Sequence, residues 1–259
     1  MKWFLPVWGL WWREMVRFVR QRSRLTGALL QPLVFWGLLG GGLNASFRPA
    51  GAGSGLSYMT YFYPGTIVLV LLFTAIFATI STVEDRKSGF LQAVFVAPVS
   101  RPAVVLGQAL GSTTLATAQA GLMLVFAPFV AVPLSAGMLP VTLLVLVLLA
   151  LALSSLGLTI AWRMDSTQGF HAVMNLLLLP LWFLSGAFFP LAGAPWPIRW
   201  LMEANPLMYG VAALRYSLYW SGDLPVADLP PFRLALAVTV LFCAGAFFLA
   251  VKSAERRLQ

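Results

Sequence analysis

Residues 83–102 read VEDRKSGFLQAVFVAPVSRP and lie between two long apolar runs. The stretch begins with four consecutive charged residues, Glu84 to Lys87. A charged side chain costs ~2.5–3.5 kcal/mol at the centre of a membrane helix, so the chain must leave the hydrocarbon here. The apolar piece Phe90 to Val96 is too short to span a bilayer but long enough for two helical turns. This pattern predicts a short helix at a membrane face, on which another protein can push. A solvated loop that only orients the flanking helices is the alternative.

The short helix has clear end signals. Pro98 stops it, and Ser100 offers an N-cap for the next apolar run, with Arg101 and Pro102 in the first turn. If the short helix is a lever, its apolar side chains should fit a groove on the partner. Glu84 should then fix the junction with the preceding helix by a hydrogen bond or an ion pair.

The composition is that of a membrane protein. Hydrophobic residues make up 60% and charged residues 10% of the 259 residues, and the mean hydropathy is +0.86. Soluble domains carry about 25% charged residues. No polar stretch is long enough to fold separately, which predicts one transmembrane domain over residues 1–259. The net charge of +9 does not indicate nucleic-acid binding, because Lys and Arg cluster at the ends of the apolar runs, where topology and anionic lipid explain them.

Six apolar runs predict six transmembrane helices. They cover Leu25 to Leu43, Tyr61 to Val83, Ala103 to Val132, Met138 to Trp162, His171 to Leu191, and Phe232 to Val251. Thirteen of the 17 Lys and Arg residues fall on one side of this arrangement and four on the other. The positive-inside rule therefore predicts a multi-pass protein of the plasma (inner) membrane with both termini and Arg86 in the cytoplasm. Gly53 and Asp223 are predicted to be external.

Residues 2–24 are predicted to form an amphipathic helix on the membrane. At 100° per residue, one face is apolar and the opposite face is basic. The apolar face contains Phe4, Trp8, Trp11, Met15 and Phe18, and the basic face contains Arg13, Arg17, Arg20 and Arg24. The pattern does not distinguish a membrane anchor from a helix that also supports a cytoplasmic partner.

The third apolar run carries polar residues on one face. Gln108, Ser112 and Gln119 share this face, and Gly107 and Gly111 form a GxxxG pair on a neighbouring one. Small and amide residues are common at helix–helix contacts in membranes. The alternative is that the three polar residues line a substrate path.

Residues 192–231 form the longest external connection, in which aromatic and apolar residues alternate. Such a membrane-associated segment is expected to lie at the outer surface or to re-enter it as short helices before the last span. Asn205 is expected to cap one of these helices, which starts at Pro206 and runs through Tyr219.

Two parts of the chain resemble the membrane subunits of type-2 ABC exporters, of the kind found beside drug, nodulation-factor and polysaccharide export ATPases. One is the 84–102 loop, with its acidic start and its APVSR ending. The other contains FLSG at 183–186, FP at 189–190, NPL at 205–207 and ALR at 213–215. The resemblance covers most of the chain. Ala212 departs from it, because relatives commonly have Asp there, and so does Gln92, where the coupling helix often has Glu.

The resemblance implies a six-helix permease that forms a homodimer and pairs with an ABC ATPase. Coupling to the ATPase would involve Glu84, Arg86, Gly89, Phe90, Leu91, Pro98 and Arg101. The external signature would comprise Ser185, Gly186, Pro190, Asn205, Pro206, Tyr209 and Arg215. The sequence contains no GxxxxGKS/T loop, so hydrolysis of ATP by that route needs the partner. The chain is therefore expected to be non-catalytic and to hold no cofactor.

Two other classes of function are less well supported. An intramembrane enzyme would need a nucleophile with a base, or several metal ligands, whereas the sequence offers one His, one Cys and no HExxH motif. A passive channel or assembly protein would have no use for a short helix held at the membrane face. An ATPase should copurify with a transporter subunit and not with either alternative.

Overall fold

The computed structural model describes residues 4–20, 22–43, 57–222, 224 and 228–256. Throughout this part of the chain the structure is helical and contains no strand, which confirms the predicted all-α class. The α-helices are α1 (Phe4–Arg20), α2 (Arg22–Leu43), α3 (Tyr58–Ala78), α4 (Ile80–Lys87), α5 (Phe90–Val96), α6 (Arg101–Met123), α7 (Leu139–Ala161), α8 (Thr167–Phe183), α9 (Trp196–Ala204), α10 (Pro206–Leu218) and α11 (Phe232–Arg256). Two 3-10 helices, Leu124–Val130 and Ala136–Met138, lie between α6 and α7.

Four helical runs among the described residues are long and apolar enough to cross a membrane. They are Tyr58–Lys87, Arg101–Val130, Ala136–Ala161 and Phe232–Arg256. The predicted first span corresponds to α2, in which Leu33–Gly42 is apolar. The predicted fifth span corresponds to α8, which has 17 residues. The protein therefore passes through the membrane several times.

Helix α3 runs through the centre of the bundle. Every residue from Tyr61 to Ile76 is buried, as expected for a helix that is apolar on all sides. Its neighbours are α2, α6, α7, α8 and α10. Close packing needs a small residue at Gly65, because a Cβ atom there would lie 2.8 Å from Ala187. The carbonyl of Gly65 also accepts a hydrogen bond from Trp182 Nε1 at 2.9 Å.

The four charged residues 84–87 are helical, so the helical run extends to Lys87, four residues beyond the predicted second span. Helix α4 continues α3 beyond a break at Thr79, whose hydroxyl donates to the Ile76 carbonyl at 2.6 Å. Helix α7 approaches closely at this break, since a Cβ atom at Gly157 would lie 2.6 Å from Thr79 Oγ1. The helix continues here because Glu84, Asp85 and Arg86 form ion pairs within the protein, while Lys87 is exposed.

The third predicted span, 103–132, is not one α-helix. Helix α6 ends at Met123 and a 3-10 helix follows to Val130. Pro128 lacks the N–H group that an α-helix would direct to the Leu124 carbonyl, and its ring would clash with that carbonyl. A 3-10 segment is the usual form for such a short helix end.

The fifth predicted span, 171–191, is also shorter than expected. Helix α8 begins four residues earlier, at Thr167, where Ser166 accepts a hydrogen bond from the Gly169 amide at 2.9 Å. It ends at Phe183, three residues after Pro180. The chain then turns through Gly186, whose φ of 74° lies in the left-handed region that glycine tolerates.

Candidate coupling site

Helix α5 has the bounds that the sequence predicts. Gly89 separates it from α4 and adopts a φ of 78°, a left-handed conformation typical of a helix end. The Ser88 amide donates to the Glu84 carbonyl at 2.9 Å and closes α4. After Val96 the chain becomes extended at Ala97, before Pro98. Helix α6 then starts at Arg101 with Ser100 as the N-cap residue, although the Ser100 side chain makes no capping hydrogen bond.

The apolar side of α5 is directed into the same chain. Leu91 is 1% exposed and packs with Leu10 of α1 and Val104 of α6. The Phe90 ring lies 3.7 Å from the Arg13 guanidinium carbon. The opposite side of α5 carries Gln92, Ala93 and Val96, and Val96 is 88% exposed. Phe90 and Leu91 therefore hold the helix in place, and this other side is the surface that a partner can contact.

Two acidic residues of α4 bind two arginines of α1. Asp85 is 2% exposed and accepts a bidentate pair from Arg13, at 2.5 and 2.6 Å. It also accepts from Arg17 at 3.0 Å. Arg17 forms a second ion pair with Glu84. Bidentate arginine–carboxylate pairs fix orientation as well as distance. They therefore hold α1 to residues 84–102, the candidate coupling loop.

The sequence predicted a hydrogen bond or ion pair of Glu84 at the junction with the preceding helix, whereas the ion pair in the structure is with Arg17 of α1. The larger role of Asp85 was not predicted. Helical periodicity groups Arg13 and Arg17 on one face, yet it does not say what that face meets. The available signal was the match between two arginines at i, i+4 and two adjacent carboxylates. This match indicates a contact only when it is already known that α1 and α4 are neighbours.

A third carboxyl group, that of Glu14, is buried at the same junction. Glu14 is 5% exposed, and Arg13 Nη1 lies 3.9 Å from one of its oxygens. Burial raises the pKa of Glu14, and the nearby charge of Asp85 raises it further. Glu14 therefore keeps its proton to a higher pH than a solvent-exposed glutamate does.

Arg86 links the coupling loop to the end of α7. Its Nη1 atom donates to the carbonyls of Ala161, Trp162 and Met164 at 3.2, 2.9 and 3.1 Å. Its Nη2 atom donates to Asp165 at 2.8 Å. The last carbonyls of a helix have no partners within the helix, and a cation there also interacts favourably with the helix dipole.

Further contacts connect the loop to α6 and α11. Arg101 Nη1 donates to the Glu255 carbonyl of α11 at 3.4 Å.

Helix α1 lies directly on α6, because Cβ atoms at Gly107 and Gly111 would come within 2.9 and 2.8 Å of Leu10 and Glu14. Packing is thus the role of the GxxxG pair, with α1 as its partner.

The three polar residues of α6 lie inside the protomer. Gln108, Ser112 and Gln119 are at most 3% exposed. The Gln119 side-chain oxygen accepts from Thr74 of α3, and Ser112 donates to the carbonyl of Gln108 at 3.2 Å. The side-chain amide of Gln108 has no hydrogen-bond partner within the described residues. All three side chains are thus buried inside the chain, and Gln119 lies at the contact of α6 with α3.

The external signature residues meet at two points. Asn205 Nδ2 donates to the Leu181 carbonyl of α8 at 2.7 Å, and its oxygen accepts from the Leu207 amide at 3.0 Å. The Asn205 side chain thus pairs a free carbonyl at the end of α8 and a free amide at the start of α10. Helix α10 begins at Pro206, as predicted. At the second point, Gly186 O accepts from Arg215 Nη2 at 2.9 Å and from Tyr61 at 2.8 Å.

The remaining signature residues are placed nearby. Ser185 donates to the Trp182 carbonyl at 2.6 Å, and the Tyr209 hydroxyl donates to the Glu203 carbonyl at 3.0 Å. Pro190 is partly buried in the turn between α8 and α9. These contacts are at the end of the bundle opposite the coupling loop, since α3 reaches them at Tyr61 and reaches α4 at its other end.

The family profile described as ABC-2 type transporter matches residues 6–219, which include both sets of contacts except Glu255, the partner of Arg101. The chain belongs to the ABC-2 type transporter family. It is therefore a transmembrane subunit of an ABC transporter, and the resemblance seen in its sequence is confirmed. No group of three or more His, Cys, Asp or Glu side chains that could hold a metal occurs in the described part of this ABC-2 permease.

Individual relatives agree with this assignment. The ABC-2 permease is 28% identical over 208 residues to the putative transport permease ycf38 of Cyanophora paradoxa, an alignment that covers 79% of this chain and 71% of the relative. It is 27% identical over 254 residues to Nodulation protein J of Rhizobium leguminosarum bv. trifolii, with 96% and 93% covered.

Proposed function

We propose that this chain forms the substrate path of an ABC exporter and is coupled through α5 to a separate ATPase subunit, which binds the ATP. The observation that supports this proposal is that one side of α5 packs against its own chain while the other side is exposed. Leu91 fixes the helix within the permease, while Val96 is 88% exposed. An exposed apolar side chain on a short, stiff helix suits insertion into a groove on a partner.

The contacts around α5 provide a route for force. Asp85 and Glu84 connect the loop to α1, and Arg86 connects it to the end of α7. Arg101 connects the start of α6 to α11. A displacement of α5 by the ATPase is thus transmitted to several helices at once, as alternating access requires.

Val96→Asp should reduce copurification of the ATPase at least about tenfold, because it would place an unpaired carboxylate in an apolar groove. The thermal unfolding of the permease alone should not change, since Val96 packs against little of it. Val96→Thr, which nearly keeps the shape, is the matched control and should retain most binding. The mass of the wild-type complex should correspond to two permease chains together with the bound ATPase subunits. Wild-type ATPase binding by Val96→Asp would rule out α5 as the docking surface.

We also propose six spans, with α2 and α8 as the first and fifth and with both termini in the cytoplasm. At ~1.5 Å per residue, the 17 residues of α8 reach about 25 Å, slightly less than the hydrocarbon core. Labelling of single cysteines from outside cells, in a Cys243→Ala background, should modify positions 53 and 223 and not position 86. Both external positions lie outside the described residues. Labelling at position 86 would contradict the arrangement.

A homodimer would place the substrate path between two copies of the single domain. Gly41 and Gly42 of α2 have open space around them and permit close approach of a second helix. Gln108, Ser112 and Gln119 are buried, so they would face a path only after a rearrangement of the helices around α6, which for Gln119 includes loss of its hydrogen bond from Thr74. The mass measurement above tests the dimer. An intramembrane enzyme or passive channel would copurify with no ATPase.

A further inference from the structure

A groove of about 530 Å³ runs along one side of α1 and is unrelated to the contacts of the coupling loop with α7. Its described lining residues are Trp12, Arg13, Val16, Arg17 and Arg20. Trp12, Val16 and Arg20 are four residues apart, and so are Arg13 and Arg17, which places all five on one side of the helix. The groove therefore combines two apolar side chains with three guanidinium groups.

The position of this side on the helix restricts what can bind there. Phe4, Leu5 and Trp8 are 51–68% exposed and form an apolar side that suits the lipid tails. Leu10 and Glu14 are buried against α6. The groove lies between these two sides, and Trp12, which is 55% exposed, stands at its border with the apolar side. It is thus at the boundary where lipid headgroups are found.

The charges of the groove are not fully balanced. Asp85 and Glu84 are the counter-charges of Arg13 and Arg17, whose side chains are still 33% and 24% exposed. Arg20 is exposed and forms no ion pair with any residue in the described ranges. A guanidinium group has five N–H donors, of which Arg17 uses two for Asp85 and Glu84. Donors therefore remain for an anion.

We propose that the α1 groove binds the phosphate headgroup of an anionic phospholipid in the leaflet next to the coupling loop. Arg20 is its main cation, and Trp12 and Val16 contact the upper part of the acyl chains. Arg17 is shared between the lipid phosphate and Glu84. Basic amphipathic helices at a membrane surface attract acidic lipids in this way. The bound lipid would thus contact the ion pairs that hold α1 to the coupling loop.

The test uses the delipidated full-length permease in detergent, with bound lipid counted by native mass spectrometry. One phosphatidylglycerol should be retained per chain in preference to phosphatidylcholine. Arg20→Gln should weaken this retention about fivefold, and Arg20→Lys should largely preserve it. Lys252→Gln is the matched control, because Lys252 is exposed at the end of α11 that Arg101 contacts. It should have no effect.

Four results would overturn the proposal. Equal loss of lipid in Lys252→Gln would indicate general surface charge. Competition by inorganic phosphate or glycerol phosphate as strong as by phosphatidylglycerol would indicate a site for free anions. Equal retention of phosphatidylcholine would exclude selection of an anionic headgroup. If Arg20→Gln keeps the lipid but loses the ATPase, the groove belongs to the protein partner.

Discussion

Asp85→Ala should lower the free energy of unfolding by about 2–3 kcal/mol and reduce the substrate exported per ATP hydrolysed. Loss of one member of a buried ion pair costs about 3–5 kcal/mol. The cost is smaller here because Arg13 and Arg17, which would lose their partner, are 33% and 24% exposed and can regain some hydration. The ATPase should still copurify, because the exposed side of α5 is unchanged.

A double-mutant cycle isolates this interaction. Asp85→Ala, Arg13→Ala and the double variant should give a favourable coupling energy of about 1–2 kcal/mol in denaturant unfolding followed by tryptophan fluorescence. Glu84→Gln is the milder control, because the Glu84 side chain is 34% exposed. A coupling energy near zero, together with wild-type export per ATP, would show that the Asp85 pair neither holds α1 nor transmits force.

Arg215→Ala should lower the free energy of unfolding by about 3 kcal/mol. Arg215 is 1% exposed, lies 4.4 Å from the Tyr61 ring centre and donates to Gly186 O at 2.9 Å. No carboxylate within the described ranges forms an ion pair with it. The variant leaves a cavity and removes a hydrogen bond and a cation–π contact.

Two variants separate these contributions. Arg215→Met keeps most of the volume and removes a buried charge, so it should be clearly less destabilising than Arg215→Ala. Arg199→Ala removes an exposed arginine of α9 that forms an ion pair with Glu203 one turn away, and its thermal unfolding should match the wild type. If Arg215→Ala and the wild type had the same midpoint of unfolding, Tyr61 and packing alone would hold the turn at Gly186.

Local signals predicted the short elements well. Gly89 and Pro98 enclose α5, and the Asn205–Pro206 pair starts α10 where expected, because these residues act through their own backbone and nearest turns. The third and fifth apolar runs did not predict that α6 ends before Pro128 or that α8 ends three residues after Pro180. Composition shows that such a run is apolar, but it does not show where an α-helix gives way to another backbone form.

The candidate site was predicted only in part. The apolar pattern of α5 does not tell which side faces its own chain, so the burial of Leu91 was missed. The basic face of α1 could equally have met water, lipid or carboxylates. Only the fold shows that Arg13 meets Asp85, 72 positions away. Long-range ion pairs depend on which helices become neighbours, and helical periodicity contains no such information.

The docking of α1 on α6 has a consequence for biosynthesis. Trp11 Nε1 donates to Thr114 Oγ1 at 3.0 Å across 103 positions of the sequence. At about 5–20 residues per second, the ribosome needs roughly 5–20 s to make the chain between these two residues. For most of that interval α1 has neither Gly107 and Gly111 of α6 nor the carboxylates of Glu84 and Asp85 as partners. Its exposed Phe4 and Trp8 can bind the membrane surface until α6, the proposed third span, has been synthesised.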